Sequence, residues 1–181
     1  MFQLTPSGSS WVGTVLYSFM GTGDGCHPWA AGVILDQAGN LYGATAGTTA
    51  DGGGGVVFEL SPGNAQWNYR SLYSFTTVPS GYGGQCSSGG PTTGPTSGLI
   101  MDSAGNLYGT TSGDGAYGWG NVFELTPSNG EWIYTSLYDF TGGSDGGAPC
   151  GAAALDARGN LYGTTMFGGQ DSGGVVWEIK P

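Results

Sequence analysis

The chain has 181 residues, among them 39 glycines, and 9% of its residues are charged whereas 13% are aromatic. Collagen is excluded because the glycines follow no strict triplet, and disorder is excluded because so many residues are aromatic. A net charge of −10, with only Arg70, Arg158 and Lys180 as cations, argues against a nucleic-acid partner, whose phosphates need clustered positive charge.

Short apolar runs rich in β-branched and aromatic residues alternate with glycine-rich breaks, and no window has the periodicity of an amphipathic helix. We therefore predict a single all-β domain over residues 1–181 with almost no helix. No apolar run approaches the roughly 20 residues of a membrane-spanning helix, and the N-terminus lacks the pattern of a signal peptide. We expect no membrane insertion, and we expect any export signal to lie outside this chain.

Three recurring segments predict four kinds of strand, here called A, B, C and D. Strand C is a run such as "VFELTP", and its copies end at Pro6, Pro62, Pro127 and Pro181. Strand D runs from a Trp to a Phe after the first three of these prolines, over residues 11–19, 67–75 and 132–140. Strand B is the "NLYGTT" of "LDARGNLYGTT", and strand A is the short apolar run before that turn, at residues near 35, 101 and 155.

In chain order the strands form four units. We predict a partial unit C-D over residues 1–19, a repeat A-B-C-D over 31–75, a second over 97–140, and a partial unit A-B-C over 151–181. Simple alternation along strand D places Trp132, Tyr134, Tyr138 and Phe140 on one face and Ile133 and Leu137 on the other. Because both faces carry apolar groups, each sheet must lie between two others.

Four-stranded antiparallel units stacked face to face describe the blades of a β-propeller. About three blades per chain are too few to close, since propellers use about 4 to 8, so we expect an incomplete ring. Two chains joined head to tail could complete a six-bladed ring, whereas a rotation that does not close would give a filament. Strand C is present at both ends, so one copy must be displaced. The alternative is that the missing strands come from sequence outside this chain, as a fragment of a longer array would require.

The segments "VFELTP", "LYDF", "SDGGAPC" and "LDARGNLYGTT" together resemble the GloVer-type tandem repeat of bacterial surface proteins that use various anchors, over almost the whole chain. This resemblance implies a secreted, propeller-like array of unassigned activity. The Asp-Gly step usual in that repeat is present at Asp24 and Asp145, each followed by glycine. The middle repeat carries the longer "PSGYGGQCSSGGPTTGP" in its place.

The turns between strands A and B have the pattern D-x-x-G-N, for which we predict a structural role. The aspartates Asp36, Asp102 and Asp156 can accept hydrogen bonds from turn amides, and the glycines Gly39, Gly105 and Gly159 can adopt positive φ. A single carboxylate per turn falls short of the 6 to 8 oxygens that Ca²⁺ takes. The strand C glutamates Glu59, Glu124 and Glu178 are predicted to be solvated or paired across strands, because they lie on separate blades.

Strand polarity places the B-C and D-A loops together on one side, here called the loop face, and these long, divergent loops are where we expect function. Its candidate ligand-binding residues are Asp24, Asp51, Asp114, Asp145, Asp171, Trp29, Tyr82, Tyr117, Trp119 and Phe167. Aromatic rings beside carboxylates suit glycan binding. Two alternatives remain: aspartates holding Ca²⁺, or loops that only connect strands.

Cys26, Cys86 and Cys150 occur once per repeat, each in a D-A loop. Equivalent loops on different blades are expected to lie far apart, so we predict three free thiols and no metal cluster with His27. One intrachain disulfide or a bridge between chains is the alternative in an oxidising compartment.

No catalytic pattern emerges. His27 has no nucleophile motif beside it, and neither a P-loop nor a dinucleotide fingerprint occurs. We therefore predict a non-enzymatic structural or interaction module without a cofactor, whose partner is a second copy of itself. We expect it at the cell surface or outside the cell, with export signal and anchor outside this chain. Glycan binding is the alternative function, and a glycosidase acting through two loop-face carboxylates is the third.

Overall fold

A computed structural model describes residues 1–21, 23–28, 32–47, 53–76 and 94–180. This part of the chain contains thirteen strands and no helix, and hence no helix of the length and apolarity that crossing a bilayer requires. The strands, in chain order, are β1 (Phe2–Ser7), β2 (Ser10–Val15), β3 (Ile34–Leu35), β4 (Leu41–Thr45), β5 (Gly53–Ser61), β6 (Asn68–Thr76), β7 (Ile100–Met101), β8 (Leu107–Thr111), β9 (Asn121–Ser128), β10 (Glu131–Asp139), β11 (Ala154–Leu155), β12 (Leu161–Thr164) and β13 (Val176–Ile179).

These strands form four antiparallel sheets in the orders β1-β2, β3-β4-β5-β6, β7-β8-β9-β10 and β11-β12-β13. The all-β prediction is confirmed, and the sheets hold two, four, four and three strands as the repeats indicate. Each sheet follows chain order because tight turns and loops join neighbouring strands. No sheet closes on itself in the described part of the chain.

Successive sheets share hydrophobic clusters, and the β7–β10 sheet is covered on both faces. One face contributes Leu107 and Phe123 to a cluster with Val57 and Phe75 of the preceding sheet. The other face contributes Val122 and Phe140 to a cluster with Leu161 and Trp177 of the following sheet. A third cluster joins the β3–β6 sheet to the segment that follows β2. The expectation that a sheet apolar on both sides lies between two neighbours is therefore met for β7–β10.

The predicted alternation along strand D is wrong at its C-terminal half. Trp132 and Tyr134 pack in the cluster shared with the preceding sheet, whereas Phe140 belongs to the cluster on the opposite face. The reason is a bulge between Ser136 and Tyr138, where the pairing of β10 with β9 shifts register. An extra residue in one strand exchanges the faces of all residues beyond it.

The glycine of each "LYG" in strand B is required by close packing. An ideal Cβ on Gly109 would lie 2.5 Å from Cζ of Phe123, the residue opposite it in β9, and one on Gly43 would lie 2.6 Å from Cζ of Phe58. The aromatic ring of strand C thus lies directly over the backbone of strand B. Only glycine leaves room for a ring at this distance.

The D-x-x-G-N turns have the predicted structural role. The Asp102 carboxylate accepts hydrogen bonds from the backbone N–H of Ala104 (2.9 Å), the backbone and side-chain N–H of Asn106 (2.9 and 2.8 Å) and the Tyr108 hydroxyl (3.1 Å). Gly105 adopts a φ of 86°. Burial alone would raise the pKa of Asp102, but these hydrogen bonds outweigh it and hold the pKa below its ordinary value. The turns at Asp36 and Asp156 repeat the same bonds.

Two of the three strand C glutamates, Glu124 and Glu178, pair across strands, which is one of the two predicted arrangements. The Tyr108 hydroxyl lies 2.9 Å from the Glu124 carboxylate, and Tyr162 makes the same contact with Glu178 at 2.9 Å. Each glutamate thus joins strand C to strand B, and the tyrosine links it to the turn aspartate.

Adding a methyl group under the strand C ring should destabilise the fold. We expect Gly109→Ala to lower the free energy of unfolding by about 1 to 3 kcal/mol, because the Phe123 ring must move. Gly32→Ala is the matched control, since a Cβ there meets nothing within 4 Å, and it should stay within about 0.5 kcal/mol of the parent. Urea unfolding of both variants measures the difference, and equal stabilities would contradict the packing argument.

The turn aspartates should make stability depend on acid pH. Because the pKa of Asp102 is lower in the folded than in the unfolded chain, its contribution is complete above about pH 4 and is lost as pH falls through the folded value. We expect the melting temperature to drop below pH 4, and to drop less in Asp102→Asn, which lacks the titrating group. Ser103→Ala, an exposed neighbour in the same turn, should keep the parent profile. An unchanged acid dependence in Asp102→Asn would contradict this assignment.

Candidate functional site

The B-C and D-A loops contact one another, as expected of loops on a common face. The B-C loop 112–120 lies against the D-A loop 140–153, where Ala148 N–H donates to the Trp119 carbonyl at 2.7 Å. The same D-A loop contacts the next B-C loop, 165–175, through Gly147 N–H to the Phe167 carbonyl at 2.9 Å and Met166 N–H to the Ala148 carbonyl at 3.0 Å. The loop face is therefore a connected layer around the C-terminal half of the chain.

Two of the candidate aspartates hold the chain just after strand D. Asp24, only 5% exposed, accepts hydrogen bonds from the Tyr17 hydroxyl at 3.0 Å and from the N–H groups of Met20 and Gly21 at 2.8 and 3.0 Å. Asp145 accepts equivalent bonds from the Tyr138 hydroxyl at 3.1 Å and Thr141 N–H at 2.9 Å, and a further one from the Thr141 hydroxyl. Much of the acceptor capacity of both carboxylates is thus taken up within the loop.

The glycine after each of these aspartates contacts the end of strand B. An ideal Cβ on Gly25 would lie 2.0 Å from Oγ1 of Thr45, and one on Gly146 would lie 2.3 Å from Oγ1 of Thr165. The Asp-Gly step therefore docks a D-A loop on a neighbouring strand. This contact gives the step a structural explanation in the two D-A loops that carry it, at Asp24 and Asp145.

The candidate aromatics differ in how much surface they offer. Trp119 lies over glycine backbone, since a Cβ on Gly142 would fall 2.3 Å from its Cε2. Phe167 is half-buried and its backbone bridges to Gly147. Tyr117 is 63% exposed and lies in the neighbourhood of Tyr138. Tyr117, Tyr138 and Asp145 therefore form one surface of exposed rings beside a carboxylate.

A buried polar network lies beneath this surface, and sequence reasoning missed it. Asn121 is fully buried; its side-chain carbonyl accepts from Thr111 at 2.7 Å, and its amide donates to the hydroxyls of Tyr134 at 2.6 Å and Ser136 at 3.0 Å. Ser136 in turn donates to Asp139 at 2.8 Å. The detectable signal was the alignment of strand C, because Asn121 occupies the position held by valine in the other two copies, at residues 56 and 175.

Asp114 lies near two members of this network, Tyr134 and Asp139. Its burial and the nearby negative charge of Asp139 raise its pKa, and the Gly115 N–H partly offsets them. Burial, followed by the Asp145 hydrogen bond and charge, likewise raises the pKa of Tyr138. Asp114 and Asp139 lie near each other. Their carboxylates are the groups with which a sugar hydroxyl or a cation could interact.

The remaining candidates are spread out or lie outside the described residues. Asp171 is exposed in the loop before β13. Asp51, Trp29 and Tyr82 fall outside the described part of the chain. Within that part no group of three or more His, Cys, Asp or Glu side chains is arranged to hold a metal ion.

The prediction of three free thiols is wrong, because Cys150 is disulfide-bonded. The prediction assumed that propeller symmetry keeps equivalent D-A loops apart. That assumption fails for the loop that carries Cys150. His27 adopts a φ of 56°, and its carbonyl accepts from Ala46 N–H at 3.4 Å.

A second candidate site is the outer edge of the β11–β13 sheet. In the described residues no strand pairs with β13 on the side away from β12, whereas β5 and β9 each pair with a strand D on that side. A groove of about 390 Å³ runs along this edge, lined by Tyr138, Phe140, Asp145, Val176 and Trp177 among others. Val176 is 81% exposed, so the edge is apolar as well as unpaired.

Comparison with known families supports the repeat assignment made from the motifs. A family model described as the Gloeobacter/Verrucomicrobia repeat matches residues 86–181, which is more than half of the chain. A search of curated proteins gives no match. The matched region contains the β7–β10 and β11–β13 sheets together with their D-x-x-G-N turns and the Asp145-Gly146 step. The chain belongs to the Gloeobacter/Verrucomicrobia repeat family.

Proposed function

We propose that the chain is a non-catalytic interaction module, a segment of an extracellular bacterial β-propeller that associates head to tail with a second copy through its open sheet edges. The observation that carries the proposal is the outer edge of β13, which no described strand covers, with its apolar groove and the exposed Val176. An edge strand that presents free N–H and C=O groups beside an apolar face is a template for another strand. No cofactor is needed for this role.

The β1-β2 hairpin supplies the complementary surface. All twelve residues of these two strands are exposed, and Phe2, for example, is 67% exposed. An isolated two-stranded hairpin is marginally stable in water, so a covering partner would stabilise it. Twelve strands per chain, with one of the two terminal C strands displaced, would give two chains six complete four-stranded blades.

A location outside the cell agrees with the disulfide of Cys150. Cys150 is disulfide-bonded, and disulfides persist in oxidising compartments rather than in the bacterial cytosol. The low cation content fits a surface that avoids nucleic acid. We propose that the module acts outside the cell.

Association should appear as a change in mass with concentration. We expect sedimentation equilibrium to give the 18.3 kDa monomer at low concentration and twice that mass at high concentration, with a plateau if the ring closes and continued growth if a filament forms. Val176→Lys should abolish association, because it places a charge at the unpaired edge. Ile133→Lys, also at an exposed apolar position, should leave it unchanged. A monomer at every concentration would overturn the proposal.

Glycan binding at the loop face is the second candidate function. It is favoured by the exposed ring of Tyr117 beside Tyr138 and Asp145, since aromatic rings stack on sugar faces and carboxylates accept sugar hydroxyl protons. The half-buried Asp114 and Asp139 below could extend the polar contacts to a ligand.

A glycan array with the associated protein tests this second function. We expect any bound glycan to lose about fivefold in affinity in Tyr117→Ala, because a stacking contact of this size is worth about 1 kcal/mol. Ile133→Ala, an exposed apolar position on strand D away from the loop face, is the control and should bind like the parent. An array without signal would leave only the structural role.

A further inference from the structure

The two complete sheets show how strand D fits beside strand C. In the β7–β10 sheet Phe123 of strand C stacks on Tyr134 of strand D, with ring centroids 5.9 Å apart. In the β3–β6 sheet Phe58 stacks on Tyr69 in the same way at 6.0 Å. A third ring from the preceding unit covers the tyrosine, at 4.2 Å from Tyr73 to Tyr134. Each strand D tyrosine is thus held between two aromatic rings.

The terminal strands of the chain differ from this Phe-Tyr pair: the ring of strand C is larger, and the residue of strand D is smaller. In β13 the strand C ring is Trp177, which is larger than the phenylalanine at residues 58 and 123. In the N-terminal strand D, the tyrosine of "WNY" and "WIY" is replaced by Gly13 in "WVG". A larger residue on one strand and a smaller one on the other are complementary, although the two strands are not neighbours within one chain.

The contacts within its own sheet do not explain the size of either residue. An ideal Cβ on Gly13 would contact only the Leu4 side chain, at 3.6 Å, so its own hairpin leaves the space above it open. Trp177 has a seat on β12, because a Cβ on Gly163 would lie 2.2 Å from its Cζ2. Its indole N–H is nevertheless buried with no acceptor in the described part of the chain. Tyr138, the ring that would cover a strand D tyrosine here, is 42% exposed.

We propose that β13 keeps its place in the blade shared by two copies, that β2 of the second copy pairs with it, and that β1 of that copy is displaced. This rests on the proposed association. In the complete blades a strand D tyrosine fills the space above the position of Gly13. In the shared blade the Trp177 side chain then extends into that space, next to Tyr138. The register of β9 with β10 places Glu178 opposite Thr14 of the second copy, as Glu124 lies opposite Thr135.

The displacement of β1 rather than β13 follows from how well each strand is seated. Trp177 is buried and packs in the cluster shared with the β7–β10 sheet, and the Glu178 carboxylate accepts from Tyr162 at 2.9 Å. Every residue of β1 is exposed, and its contacts are to the neighbouring β2. The strand with fewer contacts gives way at the lower cost.

A double-mutant cycle tests the complementarity. Trp177→Phe leaves a void above Gly13 and Gly13→Tyr overfills the space below Trp177, so each should weaken association by about tenfold or more. The double variant recreates the Phe-Tyr pair of the complete blades and should return to within about threefold of the parent. Circular dichroism of each monomer shows that the variants are folded. Additive losses in the double variant would overturn the proposal.

Disulfide trapping reads the register independently of stability. In a mixture of Thr14→Cys and Glu178→Cys chains, peptide mapping should find the 14–178 bridge between copies, and the pair Thr14→Cys with Lys180→Cys should cross-link less. If β1 stays in place, Gln3→Cys with Thr14→Cys on one chain will instead bridge efficiently in the associated form, because residues 3 and 14 are partners in the hairpin. That result contradicts the displacement of β1 while leaving association itself intact. Failure of the wild-type chain to associate contradicts the proposed function.

Discussion

The structure depends on aromatic rings that pack between successive sheets. Tyr134 lies between Tyr73 of the preceding sheet and Phe123 of its own, at 4.2 and 5.9 Å. With few charges and no helix in the described residues, these ring contacts and the aliphatic side chains around them supply most of the cohesion between sheets. A sheet that is apolar on both faces is stable only when both faces are covered. This requirement links the fold of each unit to the presence of its neighbours.

The same requirement explains where glycine is needed. A ring of strand C that lies flat over strand B leaves no space for a Cβ, which accounts for Gly43, Gly109 and Gly163. Glycines at the D-A loops serve a related purpose, because Gly25 and Gly146 let the loop lie against a threonine at the end of strand B. Much of the unusual composition is thus a consequence of close backbone packing. The loop residues that remain exposed, such as Tyr117, are the ones free to contact a ligand.

Repeats made the strand order and the turn chemistry predictable from sequence. Aligned copies gave the number and order of strands in each unit, and the pattern at Asp102 and Gly105 identified a turn whose bonds the structure shows. Departures from regular alternation were not predictable in this way. The bulge before Tyr138 depends on how β10 fits β9, and period-2 reasoning has no means of locating it. The disulfide of Cys150 was not predictable either, because the spacing of the three cysteines in the sequence does not give their distances in the fold.

The candidate site residues fall into two groups: those that recur in every unit and those that differ in one copy. Among the residues that recur in the units, the turn aspartates and two of the strand C glutamates, Glu124 and Glu178, are engaged in bonds within their own sheet. Positions at which one copy departs from the others have different roles. Asn121 stands where the other copies have valine and forms a buried polar network, while Trp177 and Gly13 alter the ring contact that both complete sheets share. In a repeat protein the common residues specify the unit, so information about partners and ligands must be carried by the exceptions. Within the described residues, the loop above Asn121 and the edge beside Trp177 are therefore two places where such exceptions are found.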